Sequence, residues 1–426
     1  MQTTPADYRA LVRRLVSRTQ VTDVHTHLFD PALGPLLLWG IDELLTYHYL
    51  AAELFRARPD LGYADVRAMP KTALADLVWK ELFRLRSPVS EACRGVTTVL
   101  SALGLDPDEK DLGRYRAFFS RLNARDYVDR VFDLAGVRRA YMTNDPLDPQ
   151  EAPSWERGFR RDPRFPGVLR LDSAIMNWPA GARALRGKGY RVERALSRRT
   201  LSEIRRYFNE WCDRLDARYM AVSLPPDFRY PDPDSSLTRL IQGAALPVAL
   251  ERGIPAAMMI GVRKLANPEM GLAGDSVGRA PIETVEALAR DFGGIKFLVT
   301  MLSRENAHEL CVAARKFKNI VVFGCWWFLN NPSLIREITA MRIELLGLTF
   351  VPQHSDARVL DQLIYKWAHS RAILADVLAS KYGDLAAAGR RVTGPEIKRD
   401  LEILLGGGLI ESWRNSRGGP VHSGTE

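Results

Sequence analysis

No stretch of the sequence reaches the ~18 consecutive apolar residues that a membrane-spanning helix needs. The N-terminus lacks the apolar core and small-residue cleavage site of a secretory leader. Both absences lead to the expectation of a soluble, cytoplasmic protein with no membrane partner. Cysteine is scarce: Cys93, Cys212, Cys311 and Cys325 are widely scattered and form no C-x-x-C pair, which argues against a disulfide framework. No Gly-rich G-x-G-x-x-G turn follows the first apolar strand, and this weakens a doubly wound dinucleotide-binding sheet. Charge of one sign is not clustered either. The net charge is +9, yet Arg and Lys are interleaved with Asp and Glu in most windows. The nearest basic run, Arg194 to Arg206, reads as the solvated face of a helix start, so no nucleic-acid partner is expected. A basic balance still suits an anionic metabolite.

What is present is ordinary globular composition, 46% hydrophobic and 26% charged over 426 residues, enough for a barrel with insertions. The stretch Val21-Thr22-Asp23-Val24-His25-Thr26-His27-Leu28 organises the rest. Gln20 to Val24 reads as a β-branched strand. His25 and His27, two apart in an extended chain, point to one face and can grip one divalent metal ion. Residues 41–135 then show only helical periodicity, beginning with Ile41 to Arg56, and read as one helical insertion covering the barrel mouth.

From Val137 the chain alternates. Strands are expected at Val137–Met142, Gly167–Leu171, Arg218–Leu224, Ile254–Val262, Ile295–Thr300, Ile320–Phe323 and Leu348–Pro352, mostly separated by helices. A long helix is expected over Ala357–Tyr382 and a short one over Pro395–Leu404. Eight continuous apolar strands suit a sheet buried on both faces. The fold class is therefore α/β, a (β/α)8 TIM-type barrel with function at the carboxyl ends of its strands. Three chain segments follow: an arm and first strand (1–40), the insertion (41–135) and the rest of the barrel (136–410). A Gly- and Ser-rich tail (411–426) is expected to be disordered.

The residues just past the strands converge on one rim. They are His25 and His27 after strand one, Arg170 after strand three, Trp326-Trp327 after strand seven, and His354 and Asp356 to Arg358 after strand eight. Closure sets strand eight beside strand one, so Asp356 completes a metal site with His25 and His27. Each residue also has a plainer reading. Asp356 would cap the following helix; Cys325 would be a small buried hydrophobe. His354 would be a core histidine or a ligand, and His48 and Tyr49 would be packing residues within a helix.

D-x-H-x-H after strand one, Trp-Trp-Phe after strand seven and Asp-x-Arg after strand eight together resemble the uronate isomerases, sugar-acid isomerases of the amidohydrolase-type metal barrels. The similarity runs from Val21 to about Leu405 and favours the family's shorter, divergent branch. Leu44-Leu45-Thr46-Tyr47-His48-Tyr49 and Ser87 to Gly95 carry it as well. Two departures stand out. Arg170-Leu171-Asp172 replaces the family's Arg-Pro-Asp. The strand-five end, Met258-Met259-Ile260-Gly261, lacks the metal-binding His of many such barrels, so the resemblance implies a divalent metal, zinc foremost, held more weakly.

The family implies conversion of D-glucuronate to D-fructuronate, or D-galacturonate to D-tagaturonate, through a cis-enediolate. The small-molecule partner is then a hexuronate, and a homo-oligomer stays open. Asp356 would serve ring opening or as a proton shuttle, and Tyr49 and His48 the C2–C1 proton transfer. A neighbouring cation would lower the tyrosine pKa. Arg170 and Arg358 would take the substrate carboxylate, and Trp326 and Trp327 a sugar face. A metal-dependent hydrolase of a sugar-acid lactone, ester or amide is the alternative. It is disfavoured because Ser223-Leu224-Pro225-Pro226 offers no Lys for a second metal. A non-catalytic sugar-acid-binding protein is the third reading.

Overall fold

The computed structural model describes residues 5–410; the expected tail, 411–426, lies outside the described residues. After a helical arm, α1 (Pro5–Arg18), the first strand β1 (Val21–Thr26) is buried along its whole length. It opens a parallel sheet with β2 (Val137–Asn144), β3 (Gly167–Arg170), β4 (Met220–Leu224) and β5 (Ala256–Ile260). Two two-residue strands, β6 (Val262–Arg263) and β7 (Ser276–Val277), pair antiparallel as a hairpin beyond β5. The main sheet resumes with β8 (Phe297–Met301) and β9 (Ile320–Val322), in the order β1-β2-β3-β4-β5-β8-β9. Strands such as Ala256–Ile260 and Phe297–Met301 are buried at every position, as a parallel sheet covered on both faces requires.

The sheet curls into a barrel. Val24, Tyr141, Val168, Ala257, Leu298 and Val351 belong to one buried interior cluster, the side-chain plug that fills such barrels. The eighth position departs from the expected strand Leu348–Pro352. Only one bridge forms there, Phe323 with Val351. Pro352 has no N–H to donate, so the ladder stops. Closure instead runs through single bonds: Gly324 N–H to Val351 O at 2.9 Å, Asp356 N–H to His25 O at 3.1 Å, and His27 N–H to Ala357 O at 2.7 Å.

Between β1 and β2 the described chain is helical. The expected continuous helix Ile41–Arg56 is two helices, α2 (Ile41–Thr46) and α3 (His48–Ala57), broken where Tyr47 adopts extended backbone (φ −62°, ψ 143°). The long C-terminal helix is Gln362–Ala387 rather than Ala357–Tyr382. Among the described residues no helix is long and apolar enough to cross a membrane.

Candidate active site

A cavity of about 230 Å³ opens at the carboxyl ends of the strands, lined by His25, His27, Tyr47, His48, Tyr49, Arg170, Ser223, Met259, Val262, Lys264, Asp275, Trp326, Trp327, Asp356 and Arg358. Its volume is roughly eight times the ~30 Å³ that one water occupies in the liquid, room for one monosaccharide. The nine residues given a metal, catalytic or substrate role from the sequence all line it; His354 and Cys325 do not.

Tight local backbone builds the metal-side wall. His25 lies within β1 and His27 just past its end. Asp356 sits at φ +53°, in the left-handed region, and its carboxylate turns back over β1. Asp356 Oδ1 lies 3.2 Å from His27 Nε2 and 3.6 Å from His25 Nε2. The three residues offer ligand atoms within 4.8 Å of one another. Asp356 does not cap the long helix. That helix begins at Gln362, behind Asp361, whose carboxylate accepts from Gly40 N–H and the Tyr127 hydroxyl.

The outer ring nitrogens fix both tautomers. The Tyr219 hydroxyl donates to Val24 O at 2.7 Å, so at His25 Nδ1, 3.1 Å away, it can only accept. The Thr143 hydroxyl donates to Thr26 O at 2.8 Å and likewise accepts from His27 Nδ1 at 3.1 Å. Both imidazoles therefore carry hydrogen on Nδ1 and turn Nε2 toward Asp356. Burial pushes His25 well below its usual pKa, so its Nε2 is a bare lone pair. The His25 lone pair and the carboxylate oxygen it faces at 3.6 Å repel unless a cation lies between them. Two hydroxyl-braced imidazoles and one carboxylate fit a divalent metal ion.

His354, left open as ligand or core, stands beside this group. Its ring centroid is 5.0 Å from that of His25, and burial lowers it to about 4. It packs against Gly324, where a Cβ would come within 2.2 Å of its ring carbon. Asp23 is structural: its carboxylate accepts from Ser355 N–H at 3.1 Å and Trp367 Nε1 at 2.8 Å. Cys325 is buried, and burial raises its thiol.

The break at Tyr47 sets His48 and Tyr49 at the first turn of α3, pointing into the cavity, rather than mid-helix. The Tyr49 hydroxyl and His48 Nε2 are buried without a well-formed hydrogen bond. Burial lowers His48 to about 4, leaving it neutral at pH 7. Burial, reinforced by Tyr47 and Asp356, raises Tyr49 well above 10. This reverses the expected cation-lowered phenol. The nearest ammonium, Lys366 Nζ, lies over the ring face 5.5 Å from its centroid, and desolvation prevails.

Two guanidinia also line the cavity. Arg170 is held by Asp172 at 3.0 Å, and that neighbour raises its pKa. Arg358 donates to His27 O at 3.0 Å and lies over Phe29 at 5.0 Å. Trp326 is buried against Met259, Val262 and Leu302; Trp327, at φ +43°, faces His48 at 5.8 Å. The sequence reading missed Tyr47, Lys264 and Asp275. Tyr47 passed as an apolar helix position, and nothing in the spacing signals the β6–β7 hairpin.

Neither a protein-family model nor a curated protein matches the chain. Solved structures do. A uronate isomerase from Bacillus halodurans C-125 superposes with a TM-score of 0.94 at 50% identity, covering 97% of each chain. A uronate isomerase from Thermotoga maritima (TM-score 0.76, 13% identity, 95% of this chain and 97% of that one) shares the fold. So does a glucuronate isomerase from Caulobacter crescentus (TM-score 0.72, 14% identity, 98% and 96%).

Proposed function

The chain belongs to the uronate isomerase family and is an isomerase acting on a small sugar acid, and on that premise we propose that it converts D-glucuronate to D-fructuronate, D-galacturonate to D-tagaturonate, or both. The observation that carries the reading is the pairing, in one cavity, of a neutral histidine whose Nε2 has no hydrogen-bond partner with a protonated phenol, His48 and Tyr49, together with two guanidinia. A hydrolase needs a placed water, and a binder needs no unpartnered proton carriers.

The substrate carboxylate lies against Arg170 and Arg358, whose forks match it. Trp326 and Trp327 cover a sugar face and limit water. Asp356, whose carboxylate stays well below the usual range against the opposing effect of burial, is ionised and takes the C1 hydroxyl proton. The C1–O5 bond then breaks and Asp356 passes that proton to O5. His48 Nε2 accepts the proton from C2, and the electron pair forms the C1–C2 double bond of the enediolate. Tyr49 donates to the oxygen that becomes negative. His48 returns the proton to C1, the Tyr49 phenolate takes the O2 proton, and C2 becomes the ketone. A divalent cation on His25, His27 and Asp356, zinc by the nitrogen-rich donor set and weakly held for want of a fourth protein ligand, would supply positive charge at the C1–C2 oxygens.

The test is incubation with each uronate in deuterated water. The expected result is the ketose with deuterium at C1, diminished to the extent that the same proton returns. No ketose and no exchange from either uronate would overturn the reading.

A further inference from the structure

The reaction touches C1 and C2, and the two guanidinia take the C6 carboxylate. O5 takes part only in ring opening, and the C3 and C4 hydroxyls do no chemistry, so only recognition distinguishes their configuration. D-glucuronate and D-galacturonate differ at one of them, C4. A sugar hydroxyl both donates and accepts, and a wall offering one donor and one acceptor satisfies it.

The cavity holds such a wall on an element the mechanism leaves unused. Lys264 and Asp275 line it from the hairpin after β5, and β5 lies across the barrel from β1. Asp275 is a buried carboxylate whose side chain is 2% exposed. Its Oδ2 accepts from the Lys264 ammonium at 2.7 Å and its Oδ1 from Leu265 N–H at 2.8 Å. Each oxygen has a further acceptor position, and the ammonium has protons beyond the one given to Asp275. Lys264 itself is 62% exposed, so the pair runs from the cavity wall out to solvent.

The hairpin is braced. Gly261, at φ +118°, accepts from Gly278 N–H at 2.9 Å, and a Cβ there would lie 2.9 Å from Gly278 O. At the hairpin tip, Asn267 Nδ2 donates to the Tyr63 hydroxyl at 3.3 Å, joining the loop to the helices between β1 and β2. A carboxylate fixed in this way can discriminate geometry, because a misplaced hydroxyl cannot draw it along.

We propose that Lys264 and Asp275 read the C4 hydroxyl and set the preference between gluco- and galacto-configured uronates. The inference rests on the isomerase reading above. The test measures kcat/KM for D-glucuronate and D-galacturonate with the metal-loaded wild type, Asp275→Asn and Lys264→Met, with a melting curve for each. Asp275→Asn keeps the side chain's shape but not its charge, Lys264→Met removes the ammonium, and the melting curves separate a lost fold from lost recognition. The expected result is a change of about tenfold or more in the ratio of the two kcat/KM values, mostly in KM, as for a lost charged hydrogen bond to one epimer. A ratio within about twofold of wild type in both variants, even if both activities fall, would mean that the pair only braces the hairpin, and would overturn the inference. Wild type that makes neither ketose overturns the isomerase reading itself and the inference with it.

Discussion

The Tyr49 hydroxyl is buried, makes no well-formed hydrogen bond, and is held in its protonated form by burial. Leaving a buried hydroxyl unpartnered costs stability, so a residue serving only as packing would be better as Phe. Tyr49→Phe is therefore expected to melt at or slightly above the wild-type temperature. Its kcat should fall by about 10²–10⁴, the usual worth of a positioned proton carrier, with KM little changed. Near-normal kcat would return Tyr49 to the core and leave the proton to His48 and Asp356. At this scale the sequence was readable where chemistry follows spacing. The i, i+2 rule brought His25 and His27 together, and barrel closure brought Asp356 to them. Tyr47 and Asp275 were not readable. One is a tyrosine at an apolar helix position, and the other stands 15 positions beyond Ile260, at the far side of a hairpin with two-residue strands.

Strands announced themselves wherever burial on both faces demands an unbroken apolar run, as at Ala256–Ile260 and Phe297–Met301. The eighth position looked the same in sequence but is not a strand, because Pro352 interrupts the ladder and side chains take its place. Arg342, 2% exposed, donates to Gly324 O at 2.8 Å and reaches Pro352 O at 3.5 Å. Gln353 accepts from Cys325 N–H at 2.9 Å and donates to Asn330 Oδ1 at 2.8 Å. This lacing holds the segment that ends in Asp356 at its left-handed φ. Arg342→Met keeps the length and removes the donors. It is expected to weaken zinc binding about ten- to hundredfold, the usual cost of losing a group that orients a ligand, measured by competition with a chelator. A lower melting temperature with unchanged zinc affinity would make Arg342 a packing residue and sever its link to Asp356.

Over the whole molecule, burial moves acids and imidazoles in opposite directions, and stability should reflect both. Burial raises Glu151 from 4.5 to about 8 and Asp23 from 3.8 to about 6. A carboxyl raised in the folded state contributes stability that is complete below its unfolded pKa. That contribution is lost as pH climbs through the folded value. His48 and His354, lowered from 6.5 to about 4, contribute above 6.5 and lose it as pH falls. Below about pH 6 the two sets oppose each other. Above 6.5 the folded histidines are neutral and Asp23 is mostly ionised, so among these groups Glu151 is the one whose folded form is still titrating. Glu151 accepts at Oε2 from Asp145 N–H at 3.2 Å and Trp155 Nε1 at 3.3 Å, contacts that a glutamine carbonyl reproduces. Its protonated form also removes one negative charge from the surroundings of Arg358 and Arg170, which favours the substrate carboxylate. The melting temperature of the wild type is therefore expected to drop between pH 6.5 and 8 relative to Glu151→Gln, by the equivalent of about 1–2 kcal/mol over that window. Melting curves of both proteins across the window decide it: parallel profiles would mean that Glu151 is ionised throughout and that the guanidinia face a charged neighbour.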